Sequence, residues 1–174
     1  LVAFLEEFAP RDEPVLEARD IVSFGKFEGI NFTLHRGEIL GFYGLVGSGR
    51  TELAQILIGV DPKEGGEVLV NGTPAHIHSM ADSLYKYRIG YVSENRKEKG
   101  LILGASIKTN IAVTVWNRLR GRLGAINLSE EDAVAHEYMQ ALEVKATGPD
   151  QPVNRLSGGN QQKVSIAKWL AAQC

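Results

Sequence analysis

The chain has 174 residues, 44% hydrophobic and 23% charged, which suits one globular domain with room for a subdomain, excludes two full domains and argues against disorder. Nineteen Lys and Arg against twenty-one Asp and Glu give a net charge of −2, without the basic excess of a nucleic-acid binder. The single cysteine, Cys174, excludes an internal disulfide framework and a multi-cysteine zinc site.

Leu1 to Phe8 does not read as a signal peptide, because Glu6 and Glu7 interrupt its apolar run. Pro10 to Pro14 is charged and proline-bearing, so residues 1–14 read as a linker entering a domain over 15–174. Val15–Ser23 and Ile30–Leu34 are expected to be short strands, the second alternating Ile30, Phe32 and Leu34 against Asn31 and Thr33. After a turn at His35–Glu38, the apolar run Ile39–Tyr43 predicts a buried strand that leads straight into a glycine-rich segment, Gly44–Gly49. Thr51–Ile58 has helical spacing at Leu53, Ile56 and Leu57, with Gly59 placed to cap its end. Glu67–Val70 and Thr73–His76 flank Asn71-Gly72, a strong hairpin signal. The stretch Val68–Ala81 is the longest without a formal charge, yet at fourteen residues it falls short of the roughly 18 apolar residues that span a bilayer. Ile89–Val92 predicts another strand, ending in the polar Ser93-Glu94-Asn95-Arg96-Lys97. From Ser106 to about Val144 the pattern turns helical, with Ile107, Ile111 and Val115 four apart and a second start capped by Ser129 ahead of Glu130 and Glu131. A polar loop, Thr147–Arg155, precedes Leu156-Ser157-Gly158-Gly159 and a last helix that runs to the end.

Two motifs carry chemistry. Gly44-Leu45-Val46-Gly47-Ser48-Gly49-Arg50-Thr51 matches G-x-x-x-x-G-K-[ST] at every fixed position except one, and it sits between an expected strand and an expected helix. Glycines let consecutive backbone N–H groups turn inward around phosphate oxygens, and the helix N-terminus adds a partial positive charge. Thr51 would offer its hydroxyl to Mg²⁺. The departure is Arg50 in the place of lysine: the charge survives, but a planar guanidinium replaces a compact ammonium. This predicts retained nucleotide binding with impaired hydrolysis. The second motif, Leu156 to Gln162, again frees backbone amides at a helix start. Alone it reads as a capped helix; with a P-loop before it in the same chain, the pair is far more specific.

With Gly37-Glu38-Ile39-Leu40-Gly41 before the loop, Arg50-Thr51-Glu52-Leu53 within and after it, Ser93–Lys97, and Leu156–Lys163, the chain resembles ATP-binding subunits of ABC transporters. More narrowly, it is similar to the second nucleotide-binding domain of the fused ATPases of ribose, galactose and xylose importers. The resemblance implies an α/β fold: a P-loop NTPase core with an antiparallel β subdomain and a helical subdomain over about 105–155. It also implies an ATP sandwich, in which the loop Gly44–Thr51, with Glu52, binds ATP and Mg²⁺ while Ser157, Gly158, Gly159 and Asn160 touch ATP held by a partner domain. Asn160 departs from the glutamine commoner across ABC proteins. By the same resemblance Phe24 stacks on adenine, with Phe27 as the alternative, and both also read as core aromatics. Glu94 stands where many relatives carry the glutamine that senses Mg²⁺ and contacts the membrane subunit. A surface acid is the other reading of that position. The implied partners are a first nucleotide-binding domain of the same parent chain, transmembrane permease subunits and, indirectly, a sugar-binding protein, at the cytoplasmic face of the membrane.

In such families hydrolysis needs an aspartate behind four apolar residues, a following glutamate and a later histidine. Only Asp61, behind Leu57-Ile58-Gly59-Val60, approaches the first, and its place suits a cap. The resemblance puts these elements beyond Cys174, so the expected core lacks its C-terminal part and no catalytic residue is assigned. Two other readings are a non-hydrolysing regulatory module, which Arg50 favours, and an ABC-type ATPase of DNA repair, against which the absence of cysteine pairs and of a basic surface counts. His76 and His78 alternate on one face without a third metal ligand.

Overall fold

The computed structural model describes residues 12–121 and 124–174, apart from the side chain of Lys97. Most of the expected linker therefore lies outside the described residues. The chain divides into two compact units between Tyr87 and Arg88.

The first unit is built on an antiparallel sheet in the order β2-β1-β3-β4. Its strands are β1 (Pro14–Ser23), β2 (Phe27–His35), β3 (Gly65–Val70) and β4 (Thr73–Pro74), with α1 (Arg50–Leu57) between β2 and β3. Ala18 and Ile21 of β1 stand three residues apart, and an irregularity in the strand between them, where Asp20 takes φ 49°, brings both to the face on which they cluster with Val68 of β3, with Leu53, Ile56 and Leu57 of α1 and with Ala75. Complete burial of aliphatic side chains such as these contributes about 1.5–3 kcal/mol each. The β3–β4 turn is the expected one: Asn71 (φ 49°) and Gly72 (φ 73°) are both left-handed, as a two-residue I′ hairpin requires, and Val70 pairs with Thr73. Gly59 (φ 70°) ends α1 as expected, its N–H donating to Ile56 O and that of Val60 to Gln55 O, the two bonds of a Schellman motif.

Two expected strands are absent. Ile39–Tyr43 has no regular structure, with Ile39 98% exposed and Tyr43 fully so. Ile89–Val92 is likewise irregular. An apolar run becomes a strand only when a neighbour accepts its N–H and C=O groups, and no described strand pairs with either segment. Conversely, α2 (Met80–Tyr87) is a helix where none was expected, although Met80, Leu84 and Tyr87 stand at i, i+4 and i+7. A second signal is local: Ser79 Oγ accepts from Asp82 N–H at 3.1 Å, while the Asp82 carboxylate accepts from Ser79 Oγ–H and from the His78 N–H, a serine cap in a Ser-x-x-Asp pattern.

The second unit is helical. The expected continuous helical stretch breaks into α3 (Ile107–Ala112), a 3-10 turn at Val113–Val115, α4 (Trp116–Leu119) and α5 (Leu128–Ala141). Ser106 caps α3 through Thr109 N–H. The cap of α5 is Asn127 rather than Ser129: its Oδ1 accepts from the N–H groups of Ser129 and Glu130, and its Nδ2 donates to Glu130. Asparagine outranks serine here by standing two residues earlier, outside the helix, where its carbonyl reaches the first free amides. The last helix, α6 (Gly158–Ala171), packs against α3 and α5, with Val164 and Ala167 of α6 and Ile107 and Ile111 of α3 fully buried. Two buried polar side chains are paired within this unit: Asn110 bonds to the N–H and C=O of Ile102 and to Ser106 O, and Glu131 accepts from Trp116 Nε1.

Candidate functional site

The glycine loop and α1 lie in the first unit. Gly47 (φ 84°) and Gly49 (φ 87°) both take left-handed backbone, and Gly49 is the N-cap of α1 without any side-chain cap. A Cβ on Gly49 would stand 2.6 Å from Phe27 Cδ1, and one on Gly44 would stand 2.5 Å from Ser48 Oγ. Close packing and left-handed backbone therefore exclude side chains at these turns. Leu45, Val46, Gly47 and Ser48 face solvent, as do Arg50 and Thr51, while Gly44 and Glu52 are half-buried. Arg50 bends back over the loop, its Cδ 3.9 Å from where a Gly44 Cβ would be.

Around this loop, Phe24 sits on the β1–β2 turn, 72% exposed, with its N–H donating to Glu64. The other aromatic, Phe27, packs under Gly49 and shapes the loop from below. Glu52 pairs with Lys26 at 3.4 Å, and its own backbone N–H, then Lys26, hold its carboxyl below the ordinary range. Neither partnership had a sequence signal, since each joins residues about twenty or more positions apart. The residues present fit a nucleotide's phosphates: an uncapped, positive helix start, glycines where side chains would intrude, and one cation over the loop.

The second expected site lies in the other unit, at the start of α6. Ser157 Oγ accepts from Asn160 N–H (3.5 Å) and Nδ2 (3.0 Å), leaving its own hydroxyl hydrogen to donate. Asn160 Oδ1 accepts from Lys145 N–H at 2.8 Å, so this residue braces the loop before it as well as the cap. Gly158 and Gly159 are exposed, and Gly158 lies under the Arg96 guanidinium. Glu94 is exposed on the segment leading to Arg96. Thr51 and Glu94, the two expected Mg²⁺ ligands, lie in different units. Among the described residues, no group of three or more His, Cys, Asp and Glu is placed to hold a metal, and no helix is long and apolar enough to cross a membrane.

A glycine loop opening one helix and a Ser-Gly-Gly start on another are the two landmarks of an ATP-binding cassette, and residues 27–174 match the ABC transporter family model. The chain belongs to the ABC transporter family. Its relatives include a putative ribose/galactose/methyl galactoside import ATP-binding protein 3 of Burkholderia cenocepacia, 40% identical over 92% of this chain and 31% of the relative. Another is the ribose import ATP-binding protein of Roseobacter denitrificans, 44% identical over 98% of this chain and 33% of the relative. The chain thus spans about a third of the length of these curated relatives. Among solved structures, a dimeric ATP-binding cassette in a post-hydrolysis state with ADP and Pi gives a TM-score of 0.72 at 23% identity, covering 91% of this chain and 70% of that one. CbiO1 of Clostridium perfringens, from a cbiONQ ABC transporter complex, gives 0.70 at 21%, covering 93% and 63%. The α/β fold with an antiparallel sheet and a helical unit is that of ABC ATPase domains.

Proposed function

We propose that the chain is a nucleotide-binding domain of an ATP-driven sugar importer, which binds MgATP at Gly44–Thr51 and supplies Ser157–Asn160 to a partner domain's ATP. One observation carries the first half: α1 opens on a left-handed glycine with no side-chain cap, so no cap residue competes with an anionic ligand for the amides of Arg50 and Thr51. The sugar-import reading draws on relatives about 40% identical over nearly the whole chain.

In this reading the domain is 15–174, with a helical subdomain over about 105–155. The backbone of Gly44–Gly49 turns its N–H groups to the phosphates, Arg50 lies over them, and Glu52 holds Lys26 beside the loop. Thr51 and Glu94 would hold Mg²⁺, which supplies charge neutralisation to the phosphates when bound. The exposed Phe24 ring is free to stack on a base. At the other landmark Ser157 has a hydroxyl hydrogen to donate, and Asn160 fixes its orientation. The partners are a first nucleotide-binding domain of the same parent chain, transmembrane permease subunits and a sugar-binding protein, with the domain peripheral on the cytoplasmic face of the membrane. Hydrolase and translocase activity belong to that assembly.

The test is a thermal melt of the purified chain with and without excess MgATP. A ligand that prefers the native state stabilises it by RT ln(1 + [L]/Kd), about 2.7 kcal/mol at a hundredfold excess over Kd. An upward shift that Thr51→Ala diminishes supports binding at this loop, and a melt that MgATP leaves unmoved refutes it. Within the assembled importer, Arg50→Lys is expected to raise turnover; an unchanged rate would mean that Arg50 does not limit this site.

A further inference from the structure

The segment that leaves Glu94 closes into a single wide, π-helical turn, Arg96–Gly100, and this turn lies along α6. Its attachments fall at Gly158, Gln162, Ser165 and Lys168, spaced as one helix face. The Arg96 guanidinium covers the first helical residue: a Cβ at Gly158 would stand 2.9 Å from Nη2, so glycine is what lets the group lie there. Nη1 donates to Gln162 Oε1 at 3.5 Å, one turn further on. At the other end of the turn, Lys168 Nζ donates to Gly100 O at 2.6 Å. Gly100 also approaches α6 closely, for a Cβ there would meet Ser165 Oγ at 3.3 Å and Arg96 Cβ at 3.2 Å.

Helix stability does not explain the Arg96 placement. A cation at a helix N-terminus adds to the positive end of the dipole, where an acid would be favourable. Arg96 Nε is buried without a hydrogen-bond partner, and no carboxylate among the described residues forms an ion pair with this guanidinium. What the arrangement achieves is mechanical: it joins the turn after Glu94 to the first two turns of the helix that begins with Ser-Gly-Gly.

We infer that Arg96 is a positioning residue, clamping the Glu94–Gly100 segment to the start of α6 so that both move as one piece. The functional consequence rests on the nucleotide-binding reading above. A displacement at Glu94, the residue proposed to face the permease, is passed through Arg96 to Ser157–Asn160, the residues proposed to face the partner's ATP. The clamp itself is independent of that reading.

The experiment has two arms. Backbone hydrogen exchange is measured on the chain and on Arg96→Ala; loss of the clamp is expected to speed exchange about fivefold at 96–100 and at 158–162, while 164–171 stays unchanged. Unchanged exchange at both segments overturns the inference, and so does a rise along the whole of α6, which marks a purely structural role. Should Arg96→Ala fail to fold, Arg96→Lys, which keeps the aliphatic stem but cannot reach Gly158 and Gln162 together, is read by the same criteria. In the second arm, Arg96→Ala in the assembled importer is expected to lower kcat for ATP several-fold with KM little changed; unaltered kcat, or a loss confined to KM, overturns the positioning role. A wild-type melt that MgATP does not shift would count against the nucleotide reading alone, since the exchange arm involves no nucleotide.

Discussion

Gly49→Ala tests the glycine loop most directly, because two separable penalties meet there. Position 49 has φ 87°, which costs an L-residue about 1–2 kcal/mol. The new methyl would also stand 2.6 Å from Phe27 Cδ1, against a comfortable carbon–carbon separation of about 3.5–4.0 Å, so the ring must move by roughly 1 Å. Phe27 is packed against the core of the first unit, and such overpacking costs about 1–3 kcal/mol. The sum is about 2–5 kcal/mol. Gly47 is the internal control: its φ of 84° carries the same backbone penalty, but a Cβ there meets nothing within 4 Å. Gly47→Ala should therefore cost only about 1–2 kcal/mol. Thermal or denaturant unfolding of the two variants gives the difference. Phe27→Ala closes the cycle, since Gly49→Ala made in that background should cost no more than Gly47→Ala. Equal destabilisation by the two glycine variants in the wild-type background would refute the argument, for it would mean that the ring does not constrain the loop.

Three further outcomes follow from other places in the fold. Asn127→Ala should destabilise by about 1 kcal/mol through loss of the α5 cap, whereas Ser129→Ala should stay within about 0.5 kcal/mol; the reverse order in denaturant melts would restore the serine cap. The Asp82 carboxyl is held below its ordinary range, first by Lys86, then by the His78 N–H and by Ser79. A depressed carboxylate contributes stability above its unfolded pKa of about 3.9 and loses it as pH falls through the lower folded value, so acid unfolding of wild type should be steeper than that of Asp82→Asn in that window. Parallel pH profiles would contradict the pairing. Burial pushes the Lys168 ammonium down from its ordinary range. Its contribution therefore runs the other way: stability should rise as pH climbs from the folded value towards the unfolded one near 10.4, and Lys168→Met should flatten that rise.

Much of the site was legible in residues alone because its chemistry is local. Gly47 and Gly49 are glycines for a backbone reason that spacing reveals, and Asn71-Gly72 and Gly59 declare their turns in the same way. Ser157 caps α6 through Asn160, three residues on, which the motif itself contains. Other features needed the fold. Ile39–Tyr43 has the composition of a buried strand, yet a strand is a property of two segments, and no described strand accepts it. The helical period over Ser106–Val144 was real, but period alone does not say where Asn127 interrupts it.

The sequence by itself determined the family, the α/β class and the two loops, because glycine positions and hydrophobic periods act over a few residues and survive in any context. Only the tertiary structure decided that Phe27 lies beneath Gly49, that Lys26 holds Glu52, that Asn160 reaches Lys145 and that Arg96 covers Gly158. Three of these join residues separated by between 15 and 62 positions, and the fourth, Phe27 with Gly49, by 22. Contacts at that range arise from how elements pack, and no local pattern of charge or hydropathy encodes them.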